Sequence, residues 1–117
     1  MPRKAGWQSE FKKGAIEICL LSILNSRRMY GFQIVRELDR LTDGYLKLKE
    51  GTLYPALHRL EKRGLLKSEW VIEGGNKPRK YYVITESGRR MLSEMTDEWV
   101  LMTEKVKKVL EVSRGNG

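Results

Sequence analysis

GTLYPALHRLEKRG, residues 51–64, starts with glycine and threonine and carries proline at its fifth position, all poor choices for a helix. Yet Leu53, Leu57 and Leu60 step by four and three, the spacing that lines up one buried side of a helix. Tyr54, Pro55, His58, Arg59 and Lys62 fall on the other side. Small residues at the head, Gly51 and Thr52, let the backbone approach a phosphate, which the free N–H groups of a helix N-terminus attract. Proline is acceptable in a first turn, where N–H groups lack intrahelical acceptors, so Thr52 can serve as N-cap. A start nearer Lys49 instead puts Pro55 inside the helix and predicts a kink. The residues admit either start. Gly64, after Lys62 and Arg63, supplies the stop. A helix of this kind suits the major groove of DNA, where its first turns reach base edges.

Two helices are expected upstream. The first spans roughly residues 9–25, and its apolar run AIEICLLSIL (15–24) needs burial on most sides. The second, residues 31–41, places Ile34, Val35, Leu38 and Leu41 on one face, and Thr42-Asp43-Gly44 ends it with turn chemistry. Downstream, LLKSEWVIE (65–73) and RKYYVIT (79–85) flank GGNKP and read as a β-hairpin, with Gly74-Gly75-Asn76 as its turn. Trp70 shares strand parity with Ser68 and Ile72 and is expected to pack under the hairpin. Thr85 then caps a long helix with Glu86 in its first turn. Met91, Leu92, Met95, Trp99, Met102, Val106, Val109 and Leu110 recur along it at helical steps. From 86 to 113 that helix is ~40 Å long, against ~25–30 Å for a compact domain of the preceding residues. Its apolar stripe therefore needs a partner beyond its own domain. The fold class is mainly α (α+β): a winged helix-turn-helix of three helices and a two-stranded hairpin wing over residues 1–85, then a dimerisation helix over 86–117.

Charge follows the same division. The chain has 117 residues and a net charge of +8. Residues 1–85 hold 17 Lys/Arg against 9 Asp/Glu, whereas residues 86–117 hold 6 of each, so the whole surplus sits in the first segment. A basic domain joined to a neutral helix fits a nucleic-acid binder with a separate assembly element. Lys77, Arg79 and Lys80 add a basic cluster at the hairpin, where phosphate contacts supply affinity and base contacts supply choice.

YGFQIVRELD (30–39), GTLYPALHRLEKRGLL (51–66) and RKYYVITESGRRML (79–92) resemble the PadR family of bacterial winged-helix transcriptional regulators. The similarity runs from about Ile16 to Leu110, and the single C-terminal helix is similar to the small subfamily. The resemblance implies a homodimer on double-stranded DNA, usually a repressor at an inverted-repeat operator, in some members released by an aromatic or drug-like molecule. It also places Tyr54 and its neighbours at the DNA and Trp99 at an aromatic position of the dimerising helix.

The expected DNA-binding set is Tyr30, Gln33, Lys49, Thr52, Tyr54, Pro55, His58, Arg59, Lys62, Lys77, Arg79 and Lys80. Tyr30 and Tyr54 can reach phosphates through their hydroxyls or pack partly; Gln33 can meet the backbone or remain solvated. Trp7 and Phe11 form a further stripe near the N-terminus and join Met91, Leu92, Met95, Trp99, Met102, Val106, Val109 and Leu110 as expected dimer residues. Trp7, Trp99, Met95 and Met102 are also candidates for an effector pocket, since Met side chains adapt to several apolar shapes. Interface and pocket are compatible readings.

Other classes find little support. One histidine, His58, and one cysteine, Cys19, offer neither a metal cluster nor a nucleophile–base constellation, so no cofactor, metal or enzymatic activity is expected. Cys19 reads as a small buried hydrophobe. A winged-helix protein-interaction module is the competing reading, and the basic wing argues against it. The apolar run is too short for a membrane span and no h-region follows the N-terminal lysines, so the cytoplasm is the expected location.

Overall fold

The computed structural model describes residues 6–75 and 77–116. The element order is α1 (Gly6–Ser26), β1 (Met29–Tyr30), α2 (Gly31–Leu41), α3 (Glu50–Lys62), β2 (Leu66–Val71), β3 (Arg79–Ile84) and α4 (Glu86–Glu111), which runs on into a π-type turn over Val112–Asn116. Three helices and a hairpin followed by one long helix match the winged helix-turn-helix expected. No helix among the described residues is long and apolar enough to cross a membrane.

The core is a single cluster built around α1. Ile16, Leu20, Leu21, Ile23 and Leu24 of α1 meet Ile34 and Leu38 of α2, Leu53, Ala56, Leu57 and Leu60 of α3, and Leu66, Tyr82 and Ile84 of the sheet. Cys19 packs at its edge, half-buried, and burial pushes its thiol pKa up, which keeps the sulfur protonated and inert. Leu41 departs from expectation: as the last residue of α2 it lies past the core and is exposed.

Turn chemistry fixes the helix ends. At α3, Gly64 adopts φ 78°, its N–H reaches Glu61 O at 2.9 Å, and Leu65 N–H reaches Leu60 O at 2.9 Å. This crossed pair of bonds satisfies the last carbonyls and needs the left-handed residue that glycine provides most easily. After α2 the same pattern forms on Asp43, φ 51°, with Thr42 Oγ1 donating to Leu38 O at 2.7 Å and accepting from Leu46 N–H at 2.9 Å.

Of the two starts open to α3, the earlier is adopted: Lys49 is the N-cap and Pro55 lies within the helix. Pro55 removes the N–H that would serve Gly51 O. Both residues are on the outward side, where water can take the carbonyl, so the loss falls where it costs least.

The wing is larger by one strand than the sequence suggests. β1 pairs antiparallel with β3 (Met29↔Tyr82, Tyr30↔Tyr81), giving the order β1-β3-β2. Asn76 of the expected turn lies outside the described residues; Gly74 and Gly75 have φ 54° and 76°. Trp70 does not pack under the hairpin. It is 69% exposed, opposite Lys80, two pairs beyond the Ser68↔Tyr82 pair where the core ends on that face.

Thr85 caps α4 by accepting from Gly88 N–H at 3.0 Å and donates to Gly64 O at 2.7 Å, tying α4 to the end of α3. Gly88 presses on Leu65: a Cβ there would overlap the Leu65 carbonyl. Met91, Leu92 and Met95 then pack against the core, and from Trp99 onward the helix leaves it. The Cα radius of gyration, 16.8 Å, exceeds the ~13 Å of a compact chain of this length.

Candidate nucleic-acid interface

Helix α3 turns Leu53, Ala56, Leu57 and Leu60 into the core, so at 100° per residue the opposite line is Gly51, Pro55, His58 and Lys62. All four are exposed, and the line carries no carboxylate. Thr52 and Arg59 form one edge, toward α1; Tyr54 and Glu61 form the other, toward α2 and the wing.

The two edges are held differently. Arg59 Nε donates to Glu17 Oε2 at 3.2 Å, and Arg63 Nη1 to Glu17 Oε1 at 3.3 Å, so a half-buried carboxylate of α1 holds two α3 cations. Among the described residues Arg59 is the one cation of the expected DNA-binding set held in an ion pair. On the other edge Ser68 Oγ of β2 donates to Glu61 Oε2 at 2.7 Å, locking the wing to α3. Tyr54 reaches the head of α2, and this contact depends on Gly31, where a Cβ would overlap the Tyr54 hydroxyl. Gln33 caps α2: its Oε1 accepts from Tyr30 N–H at 3.2 Å.

On the wing, Arg79 lies 4.5 Å from the Tyr30 ring and Lys80 5.6 Å from the Tyr82 ring. Lys77 and Arg79 are exposed, and so is Lys49 at the start of α3. Of the expected residues, Tyr30, Tyr54, Arg79 and Lys80 line one cleft, Gln33 and Arg59 are tied to Tyr30 N–H and Glu17, and Lys49, Thr52, Pro55, His58, Lys62 and Lys77 are exposed. Sequence reasoning missed Glu17, Gly31 and Phe32. Glu17 and Arg59 are 42 residues apart in sequence and carry no local signature of their pairing.

The candidate effector residues lie on α1 and α4. Trp7 and Phe11 pair edge-to-face at 6.0 Å and are both exposed. Trp99 and Met102 are exposed on α4, whereas Met95 belongs to the core edge.

Residues 20–94 match the model of the PadR-like family of transcriptional regulators. A transcriptional regulator of Mycobacterium tuberculosis, Rv3488, is 39% identical over 85 residues, covering 73% of this chain and 76% of its own. A transcriptional regulator from Clostridium thermocellum superposes with a TM-score of 0.79 at 34% identity, over 85% of this chain and 96% of its own. A PadR family regulator from Eggerthella lenta gives 0.77 at 38% identity, over 91% and 90%. All are regulators of transcription rather than enzymes. Fold, family model and relatives agree: the chain belongs to the PadR-like family of transcriptional regulators.

Proposed function

We propose that the protein acts as a homodimer on an inverted-repeat operator, inserts α3 into the major groove, lays its wing along the adjacent backbone, and represses transcription until a small aromatic molecule releases it. The observation that carries the DNA half is the exposed line of Gly51, Pro55, His58 and Lys62, none of them acidic, on the side of α3 opposite its buried leucines. Lys62, the wing cations and the Tyr54 hydroxyl take phosphates; Thr52 and His58 face base edges. Residues 1–85 bind DNA in this reading, and residues 86–117 assemble the dimer.

The exposed apolar stripe of α4 supports assembly. Trp99, Met102, Val106, Val109 and Leu110 follow one another at helical steps and are all exposed. A second copy would bury them and set two α3 helices about one DNA turn apart. Trp7 and Phe11 join that contact, and Trp99, Met102, Met95 and Trp7 offer a flat effector its stacking walls.

Fluorescence anisotropy of labelled duplexes tests the α3 assignment. His58→Ala with Lys62→Ala should weaken every duplex and lower the salt slope by about one unit per protomer. Unchanged affinity and slope would remove α3 from the interface. For the effector, quenching of tryptophan fluorescence by flat aromatic compounds should weaken in Trp99→Phe and disappear in Trp7→Phe with Trp99→Phe; quenching that persists in the double variant would move the site elsewhere.

A further inference from the structure

A cleft of about 550 Å³ separates the wing from the helix-turn-helix. Its walls are Phe32 at the start of α2, Tyr54 of α3, and Trp70, Arg79, Lys80 and Tyr82 of the hairpin. Trp70 and Phe32 are 69% and 61% exposed, an unusual outlay of aromatic surface for a small domain. Sheet register explains the placement. Trp70 faces Lys80 directly, and both share the face of Tyr82, which is the last wing residue the core covers on that side.

We propose that this cleft seats one sugar–phosphate strand of the bound duplex, with Trp70 and Phe32 packing on deoxyribose and Lys80 and the Tyr54 hydroxyl taking the phosphate. The inference rests on the DNA-binding reading above. Three observations choose this occupant. The lining includes two cations and no carboxylate, which suits a polyanion. The cleft is continuous with the exposed line of α3 through Tyr54 and with the wing cations through Arg79 and Lys80. It is also open to solvent, whereas pockets for small molecules enclose most of their ligand. A strand can enter such a trench at one end and leave at the other. Gly31 is part of the construction, because only without a Cβ there can Tyr54 lie across the head of α2.

The test uses the full chain and duplexes recovered from a random pool. Trp70→Ala should raise Kd about tenfold and leave the salt slope unchanged, because an apolar contact releases no counterion. Lys80→Ala should lower the slope by about one unit per protomer. Thermal unfolding should hardly change in Trp70→Ala, since the side chain is outside the core. In a Trp7→Phe, Trp99→Phe background, Trp70 becomes the one tryptophan, and acrylamide quenching should fall as anisotropy reports saturation with DNA. If Trp70→Ala binds as tightly as the parent, or Trp70 stays equally quenchable in the complex, the cleft is empty on DNA and the inference is wrong. Shielding by a naphthalenesulfonate probe but not by duplex would reassign the cleft to a small aromatic anion. Failure of the parent itself to bind any duplex would show in the parent titration alone, and would overturn the DNA-binding reading together with this one.

Discussion

Replacing Glu17 should tighten DNA binding while weakening the fold. Its carboxylate, 19% exposed, holds Arg59 at 3.2 Å and Arg63 at 3.3 Å, and both guanidinium groups are about half exposed. Such partly solvated pairs are worth ~0.2–1 kcal/mol each, so Glu17→Gln should cost roughly 0.4–2 kcal/mol of stability in all. On DNA the sign reverses. One fewer negative charge at ~10 Å from a phosphate gains about 0.4 kcal/mol in a water-like dielectric, before salt screens it. A freed Arg59 that reaches a phosphate adds about 0.9 to the salt slope. A dimer should therefore bind about two- to tenfold tighter at low salt, with a slope steeper by about one to two units. Anisotropy titrations across a salt series measure both quantities, and urea unfolding measures the cost. An unchanged slope with unchanged or weaker binding would mean that the Thr52–Arg59 edge of α3 never approaches DNA.

Three further outcomes test other parts of the account. Gly88→Ala drives a methyl into the Leu65 carbonyl and the Ile84 side chain, and should cost ~1–3 kcal/mol in urea unfolding; a neutral result would mean that α4 does not sit this tightly on the wing. Lys77→Ala with Arg79→Ala should lower duplex affinity and take about two units per protomer from the salt slope. Since both residues are exposed, melting should be unaffected; a large fall in Tm with affinity intact would give them a structural role instead. Met102→Glu with Val106→Glu places charges on the exposed stripe of α4 and should yield monomers in sedimentation equilibrium. A dimer persisting at micromolar concentration would transfer assembly to another surface.

Periodicity carried most of the fold, because α1, α2, α3 and α4 each bury a side that recurs at three- and four-residue steps. It failed where structure depends on a distant partner. β1 is two residues long, too short for any alternation, and exists only through its pairing with Tyr81 and Tyr82 of β3. Trp70 had the right parity and the wrong environment: alternation says which face a residue occupies, not where along the strand the core stops. The start of α3 was ambiguous because Gly51, Thr52 and Pro55 are weak helix residues, and tertiary packing of Leu53 on the core overrides their propensity. In the candidate site, the outward residues of α3 follow from its buried leucines. Glu17 and Gly31 do not, since each acts on a residue of α3 that only the folded chain brings near.

The claim that two copies present two α3 helices to duplex DNA is tested most directly by selecting bound sites from a random duplex pool with the full chain. The account predicts enrichment of an inverted repeat whose half-sites are centred about one helical turn, 10–10.5 base pairs, or a multiple of it, apart. Recovery of an unpaired half-site, or a pool that stays random while DNA is retained, would contradict it.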